Sequence, residues 1–318
     1  MTMIRENWPT LLLPGLRKTF HERLRDRSEL FKREEVFGPG QGSRKAQESH
    51  QGIGEMGSDG FNQFQRNRRV PYDDFDPGFK TDLVHRSFAK GMIVERELME
   101  DNQYPDAGIP REVTEEVEKL GNAAAIHREK SAANLFRNAF TDSGVDDEGH
   151  PIAGADGVGL CSEAHPLSPS NASTQSNEGT LSFGRDNVKT TALAMREFTD
   201  DRGELVSIKP DLLLVPPELG DAARILVGTT NEPGSDHNDI NTLKGRYTVV
   251  EWDYLTDSNA WFMIDSGLKG DHLVWYDRVL PEFDTEGDFD AIQAKYRAFY
   301  RFSRGYDAWQ WIFGQNPS

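Results

Sequence analysis

The run Leu212, Leu213, Leu214, Val215, closed by Pro216 and Pro217, constrains this chain more than any other stretch. Four apolar residues are too few for a buried helix, and proline offers no backbone N–H, so 212–215 predicts a short buried strand. A helix is predicted to start at once. Pro217 suits its first turn, Glu218 and Asp221 complement the positive end of the helix dipole, and Leu219, Ala222, Ala223 and Leu226 line one side, with Gly228 as its end. The polar loop 229–242 carries the turn chemistry of Asn231, Glu232, Pro233 and Gly234, and strands are predicted at 246–252 and 261–264. Strand, helix, loop, strand, strand gives a mixed α/β domain.

Composition sets the outer limits. With 318 residues, of which 36% are hydrophobic and which include 18 Phe and 6 Trp, the chain can bury a sizeable core in one large or two smaller domains. The net charge of −17 argues against a general nucleic-acid binder, which needs a basic surface to displace counterions from phosphate. Cys161 is alone, so neither an internal disulfide nor a cysteine metal cluster is expected, and a small buried side chain is the reading. Apolar stretches fall short of the roughly 20 residues of a membrane span, and Leu11, Leu12 and Leu13 follow Arg5 and Glu6 without a signal-peptide core. No membrane contact is expected, and the chain reads as made and kept in cytoplasm.

Taken in order, residues 1–45 hold ten Lys or Arg against six Asp or Glu and are rich in helix formers from Leu16 to Val36, a basic and partly helical arm. Residues 38–60 are rich in Gly, Ser and Gln and read as a loop; their glycine strings lack the strand and lysine of a phosphate loop. Residues 61–106 alternate aromatic and charged side chains, with a strand-like segment at 91–94, and suggest an extended two-stranded excursion. The clearest helix is 110–140, acidic early and basic late, with Val113, Val117, Leu120 and Ala124 at helical spacing. Gly121 and Ala123 to Ala125 are expected to let it approach a sheet closely, and His127 to be a surface or capping residue. A second helix is predicted over 181–199. Alternation over 289–313 predicts strands, with Trp309, Trp311 and Phe313 on one face.

The clusters that could carry chemistry have plainer accounts. Asp142, Asp146, Asp147 and Glu148 lack the alternating ligands, central glycine and closing glutamate of a calcium loop. His150 and His165 each precede proline, which points to turn or extended backbone. Asp236, His237 and Asp239 sit beside Gly234 and Asn238, a turn composition. An acidic hydrolase using Asp236 with Asp239, or Glu251 with Asp253, is the alternative from another class. No catalytic residue, cofactor or metal ligand is assigned.

Two ordered segments carry more than periodicity does. The first reads VPPEL, ARIL, NEPG, NDIN, LKGR and YLTDSNAWF between residues 214 and 262; the second is LCSEAHPLSPSNASTQSN over 160–177. Together they resemble the major capsid protein of tailed bacteriophages, in the branch of the Mu-like major head subunit, whose fold is named after phage Hong Kong 97. The likeness spans about 111–315; the first hundred residues match in layout, not in letters. The resemblance implies an α+β fold with an N-terminal arm (1–45), an extended loop (46–106), a peripheral domain with a long spine helix (107–150 and 267–318) and an axial domain with a mixed sheet (151–266). It implies a structural subunit that assembles into hexamers and pentamers of an icosahedral shell around double-stranded DNA, in the host cytoplasm and then the virion. Implied partners are other copies of the chain, a scaffolding protein, a portal, a head protease or decoration protein, and packaged DNA held non-specifically. Few residues precede the glycine-rich loop, so scaffolding is expected from a separate protein. Within the extended loop, Arg66, Arg68 and Arg69 with Asp73, Asp74 and Asp76 are candidate inter-subunit ion pairs, each worth about 0–1 kcal/mol but repeated around a shell. Lys80 or Lys90 could lie in that loop, yet no motif marks a cross-linking partner. An encapsulin-like compartment shell shares the fold and is the nearer alternative.

Overall fold

The computed structural model describes residues 8–53, 76–97, 111–231, 240–288 and 291–317. In chain order the elements are α1 (Trp8–Ser28), α2 (Arg33–Phe37), β1 (Gln41–Gly42), β2 (Gln47–Ile53), β3 (Pro77–Val84), β4 (Arg86–Glu95), α3 (Arg111–Arg137), β5 (His165–Pro166), β6 (Thr174–Gln175), β7 (Glu178–Gly179), α4 (Arg185–Arg196), β8 (Leu212–Val215), α5 (Pro217–Gly228), β9 (Thr248–Glu251), β10 (Trp261–Ile264), α6 (Ser266–His272), β11 (Leu273–Asp288), β12 (Gln293–Tyr306) and β13 (Ile312–Gln315). Strand β8 and helix α5 fall where the proline pair puts them, with Pro216 as the N-cap. The chain divides into two compact units.

The first unit comprises Met1–Ala46, His85–Ala132 and Trp275–Ser303. Its sheet runs β1-β11-β12-β4. Strands β12 and β4 pair antiparallel from Gln293↔Glu95 to Phe302↔Arg86, and the period of two works as expected: Ala294, Tyr296, Ala298, Tyr300 and Phe302 are buried while Lys295 and Arg297 face out. Phe20 of α1 stacks on Phe283 of β11 (5.3 Å), which stacks on Tyr296 (5.8 Å). Gly121 does permit a close approach, but to helix α1: a Cβ there would lie 2.8 Å from the Phe20 carbonyl oxygen. The sequence pattern gave the need for a small residue without saying which backbone it meets. His127 is neither a surface nor a capping residue. Half-buried, its ring lies 4.6 Å from Phe88 of β4 and 5.8 Å from Tyr300 of β12 because these paired strands set aromatic side chains along this part of α3.

The second unit comprises Gln47–Val84, Ala133–Val274 and Arg304–Ser318. Its five-stranded sheet has the order β7-β13-β10-β8-β9. Strand β10 pairs antiparallel with β13 on one side and β8 on the other, and β8 pairs parallel with β9 across α5. Strands β8, β10 and β13 are buried at every residue, as a sheet covered on both faces requires. On one side Val188, Met195, Val215, Ala223, Met263, Trp309 and Phe313 form a core. On the other Phe136 meets Trp252, Phe262 and Trp311 at 5.6, 5.7 and 6.4 Å. Trp309, Trp311 and Phe313 therefore do not share a face. The strand starts only at Ile312, and Trp311 is held in the preceding turn by its indole N–H on the Ala308 carbonyl (2.7 Å), so the alternation does not extend back to it. The unit also holds a two-stranded ribbon, β2 with β3, running from Gln47↔Val84 to Ile53↔Pro77 with a bulge between Gln51 and Ile53.

Charge is divided unevenly. Of the chain's 36 Lys and Arg and 53 Asp and Glu, the first unit has 21 and 22 and the second 15 and 31.

Gly121→Ala should lose stability, by about 1–3 kcal/mol, because the overpacking against backbone exceeds the roughly 1 kcal/mol gain in helix propensity. Gly270→Ala, in α6 with nothing within 4 Å of the added Cβ, should be neutral or stabilising. Denaturant unfolding of the two variants reads the difference, and equal stabilities would remove the close-approach argument.

Candidate functional site

Of the six candidate contact residues, Arg66, Arg68, Arg69, Asp73 and Asp74 lie outside the described residues. Asp76 is described: it is exposed where β3 begins, with the Ser170 hydroxyl 3.5 Å from its carboxylate. Asp236, His237 and Asp239 also lie outside. Glu251 is engaged by Arg224 of the preceding helix, so it serves as a counter-ion on that surface, not as half of an open acid pair, and Asp253 is exposed. Lys80 pairs with Asp82 at 3.1 Å, and Lys90 is exposed on β4.

Three buried polar constellations were not visible in the sequence. In the first unit, Trp275 of β11 carries the guanidinium groups of Arg33 and Arg128 at 4.9 and 5.5 Å from its ring. Arg128 reaches both carboxylate oxygens of Asp277 (2.8 and 3.0 Å), which also accepts the Trp275 indole N–H (3.1 Å). Glu129, 1% exposed, accepts the backbone N–H groups of Lys32 (2.7 Å) and Arg33 (3.1 Å), a negative charge at the positive end of α2. Cation–π contacts and charge-assisted bonds thus tie α2, α3 and β11 through residues far apart in sequence.

In the second unit, the acidic turn after α3 closes on Arg304. Asp146 accepts the backbone N–H groups of Glu148 (2.9 Å) and His150 (2.8 Å) and pairs with the Arg304 guanidinium; both side chains of that pair are 3% exposed. Burial alone would raise the Asp146 carboxyl, but the hydrogen bond from His150 and the Arg304 charge outweigh it and hold the carboxyl well below the usual range. Asp146, Glu148 and His150 can bring ligand atoms within 4.8 Å of one another. The Arg304 cation already supplies the positive charge this turn needs, which makes the cluster a poor cradle for a metal ion.

The third constellation centres on His165, fully buried in β5. Its Nδ1 lies 2.6 Å from Asp156 Oδ2 and its Nε2 3.0 Å from Asn177 Oδ1, and its ring stacks on Trp309 at 4.5 Å. Of the turn or extended backbone expected before proline, the extended form is present, since His165 and Pro166 pair with Gln175 and Thr174 of β6, but the histidine also places both ring nitrogens against polar partners. Cys161 is buried nearby, and burial followed by the charge of Glu178 pushes its thiol well up, which leaves it unreactive. No described helix is long and apolar enough to cross a membrane.

Two measurements check these networks. Asp146→Ala should cost about 3–5 kcal/mol by stranding a buried guanidinium, while Asp146→Ala combined with Arg304→Met should recover part of the loss; an unaffected single variant would deny the pair its role. The second uses pH. His272 is raised by its hydrogen bond to Asp307 (2.7 Å), against burial. That pair contributes stability fully below about pH 6.5, the unfolded imidazole value, and loses it as pH rises through the higher folded value. The melting-temperature gap between the native chain and His272→Asn should therefore close on the alkaline side, and a gap independent of pH would count against the pair.

The sequence profile of the family described as phage capsid protein matches residues 82–312. Among solved structures, the asymmetric unit of the mature capsid of bacteriophage PhiM1 is similar, with 10% identity, 88% of this chain and 84% of that chain covered, and a TM-score of 0.54. The capsid of bacteriophage JBD30 gives 14% identity, 70% and 90% coverage and 0.51; that of Microbacterium phage Oxtober96 gives 9%, 91% and 91%, and 0.51. None of the curated protein sequences matches this chain. At these identities the structures speak for the fold, an α+β phage major capsid fold, and the profile, which takes in most of the chain, carries the conclusion that this protein belongs to the phage capsid protein family.

Proposed function

We propose that this chain is the major subunit of a tailed-phage head, that it assembles into hexamers and pentamers of an icosahedral shell around double-stranded DNA, and that it falls in the Mu-like branch of the family. The observation that carries the reading is the family match across 82–312, which takes in strands, helices and both units. In this reading residues 1–45 are the arm, 46–106 the extended loop, 107–150 and 267–318 the peripheral domain and 151–266 the axial domain. The ribbon β2–β3 supports it, since a two-stranded ribbon is marginal by itself and most of its residues are exposed in a single copy. A neighbouring copy would supply the missing cover. Many such contacts of modest strength, closed by symmetry, add up to a stable shell.

Within the extended loop, Arg66, Arg68, Arg69, Asp73, Asp74 and Asp76 are the proposed inter-subunit contacts. A separate scaffolding protein, a portal, and a head protease or decoration protein are the proposed partners, with assembly in the host cytoplasm and packaged DNA touched without sequence preference. The buried charge networks fit a structural subunit: they fix geometry and leave no open reactive pair among the described residues.

Negative-stain electron microscopy with sedimentation of the purified chain, with and without scaffold encoded beside it, should give closed shells, rings of five or six, or tubes. A strictly monomeric species under every condition would overturn the proposal, and shells that carry an enzyme in place of DNA would move the chain to the compartment class.

A further inference from the structure

We propose that the ribbon β2–β3 is held on its own unit by a releasable latch, Leu83 seated over Gly305, and that opening this latch frees the ribbon for a neighbouring copy. The proposal rests on the shell reading above. It starts from the alternation along β3, in which Thr81 and Leu83 are buried while Lys80 and Asp82 point outward. The outward row is polar and bound to itself. Asp82 accepts the Ser49 hydroxyl and pairs with Lys80 at 3.1 Å, and the Gln51 side chain donates to the Gly78 carbonyl (2.7 Å). Phe79, Thr81 and Leu83 form the inward row, which carries apolar surface that a neighbour gains by covering.

Glycine at 305 is what admits Leu83. A Cβ there would overlap Leu83 Cδ2 and lie 3.7 Å from its Cγ, so the leucine fills space that any other residue at 305 would claim. The seat is narrow. Beside it a cleft of about 210 Å³ is lined by Thr81, Leu83, Leu135, Ala153, Arg304 and Tyr306, and a second of about 60 Å³ by Phe79, Pro166, Tyr306 and Trp309. Thr81 is 8% exposed, and its hydroxyl has no hydrogen-bond partner among the described residues. A permanent contact would be filled to the density of a protein interior and would pair that hydroxyl. One leucine in a notch, flanked by gaps, suits a contact that forms and opens. A copy that covers the inward row binds only open latches, so its apparent affinity is reduced by the fraction that are open.

A disulfide across the seat tests this in the full-length chain. Leu83→Cys with Gly305→Cys brings two thiols within reach of each other, and Cys161 is too deeply buried to compete. With scaffold present, the reduced form should assemble as the native chain does, and the oxidised form should assemble only after a reductant is added. Equal assembly of both forms overturns the latch alone; failure of the reduced, oxidised and native chains alike overturns the shell reading and the latch with it. Should the cysteine pair not fold or not cross-link, two single variants decide. Gly305→Ala pushes on the flexible end of Leu83 and should lower the concentration at which assembly begins. Thr81→Val removes the unpaired hydroxyl, tightens the latch and should raise that concentration about tenfold. A higher threshold in Gly305→Ala, or an unchanged one in Thr81→Val, overturns the proposal.

Discussion

Strand β10 sets the terms for much of the second unit. Trp261, Phe262, Met263 and Ile264 are buried on both faces, so no water answers their backbone groups, and only neighbouring strands can. The chain therefore has to deliver Leu212–Val215 to one side and Ile312–Gln315 to the other, each in register. Delivery of β8 brings α5 and β9 with it through the proline pair. Delivery of β13 brings Gln315, whose side chain accepts the Leu181 backbone N–H (2.7 Å) and donates to Thr191 of α4 (2.9 Å). A fully apolar strand thus recruits helices through polar atoms at its borders.

Elements whose boundaries are written in adjacent residues were legible. Pro216 and Pro217 fix β8 and α5, the 3.6-residue spacing of Val113, Val117 and Leu120 fixes α3, and the alternation from Ala294 to Phe302 fixes β12. What could not be read is what each element meets. Gly121 announced a close approach but not that α1 makes it. His165 could be read only as turn or extended backbone before a proline, since its partners Asp156, Asn177 and Trp309 come from three separate loops. Arg33, Arg128, Trp275 and Asp277 have no common spacing, and no single-sequence pattern brings them together.

The two arginine networks differ in what they contribute. Replacing a buried ion pair by apolar residues of the same shape is often neutral, so Asp146–Arg304 is weak evidence for added stability. Its effect is on uniqueness: a slipped turn would strand a guanidinium and a carboxylate out of water. The Trp275 network acts similarly on the short helix α2, which at five residues has little stability of its own. A subunit repeated many times needs each copy in the same conformation more than it needs each copy to be very stable.

The uneven split of charge has a consequence of its own. A unit with 31 acidic groups against 15 basic ones gathers a cloud of mobile cations, and at physiological ionic strength that cloud is about 8 Å thick. Bringing copies of it side by side compresses overlapping clouds, an osmotic opposition that weakens as salt is added. The ionic medium would then act as a throttle on how readily neighbours approach, independent of any particular contact.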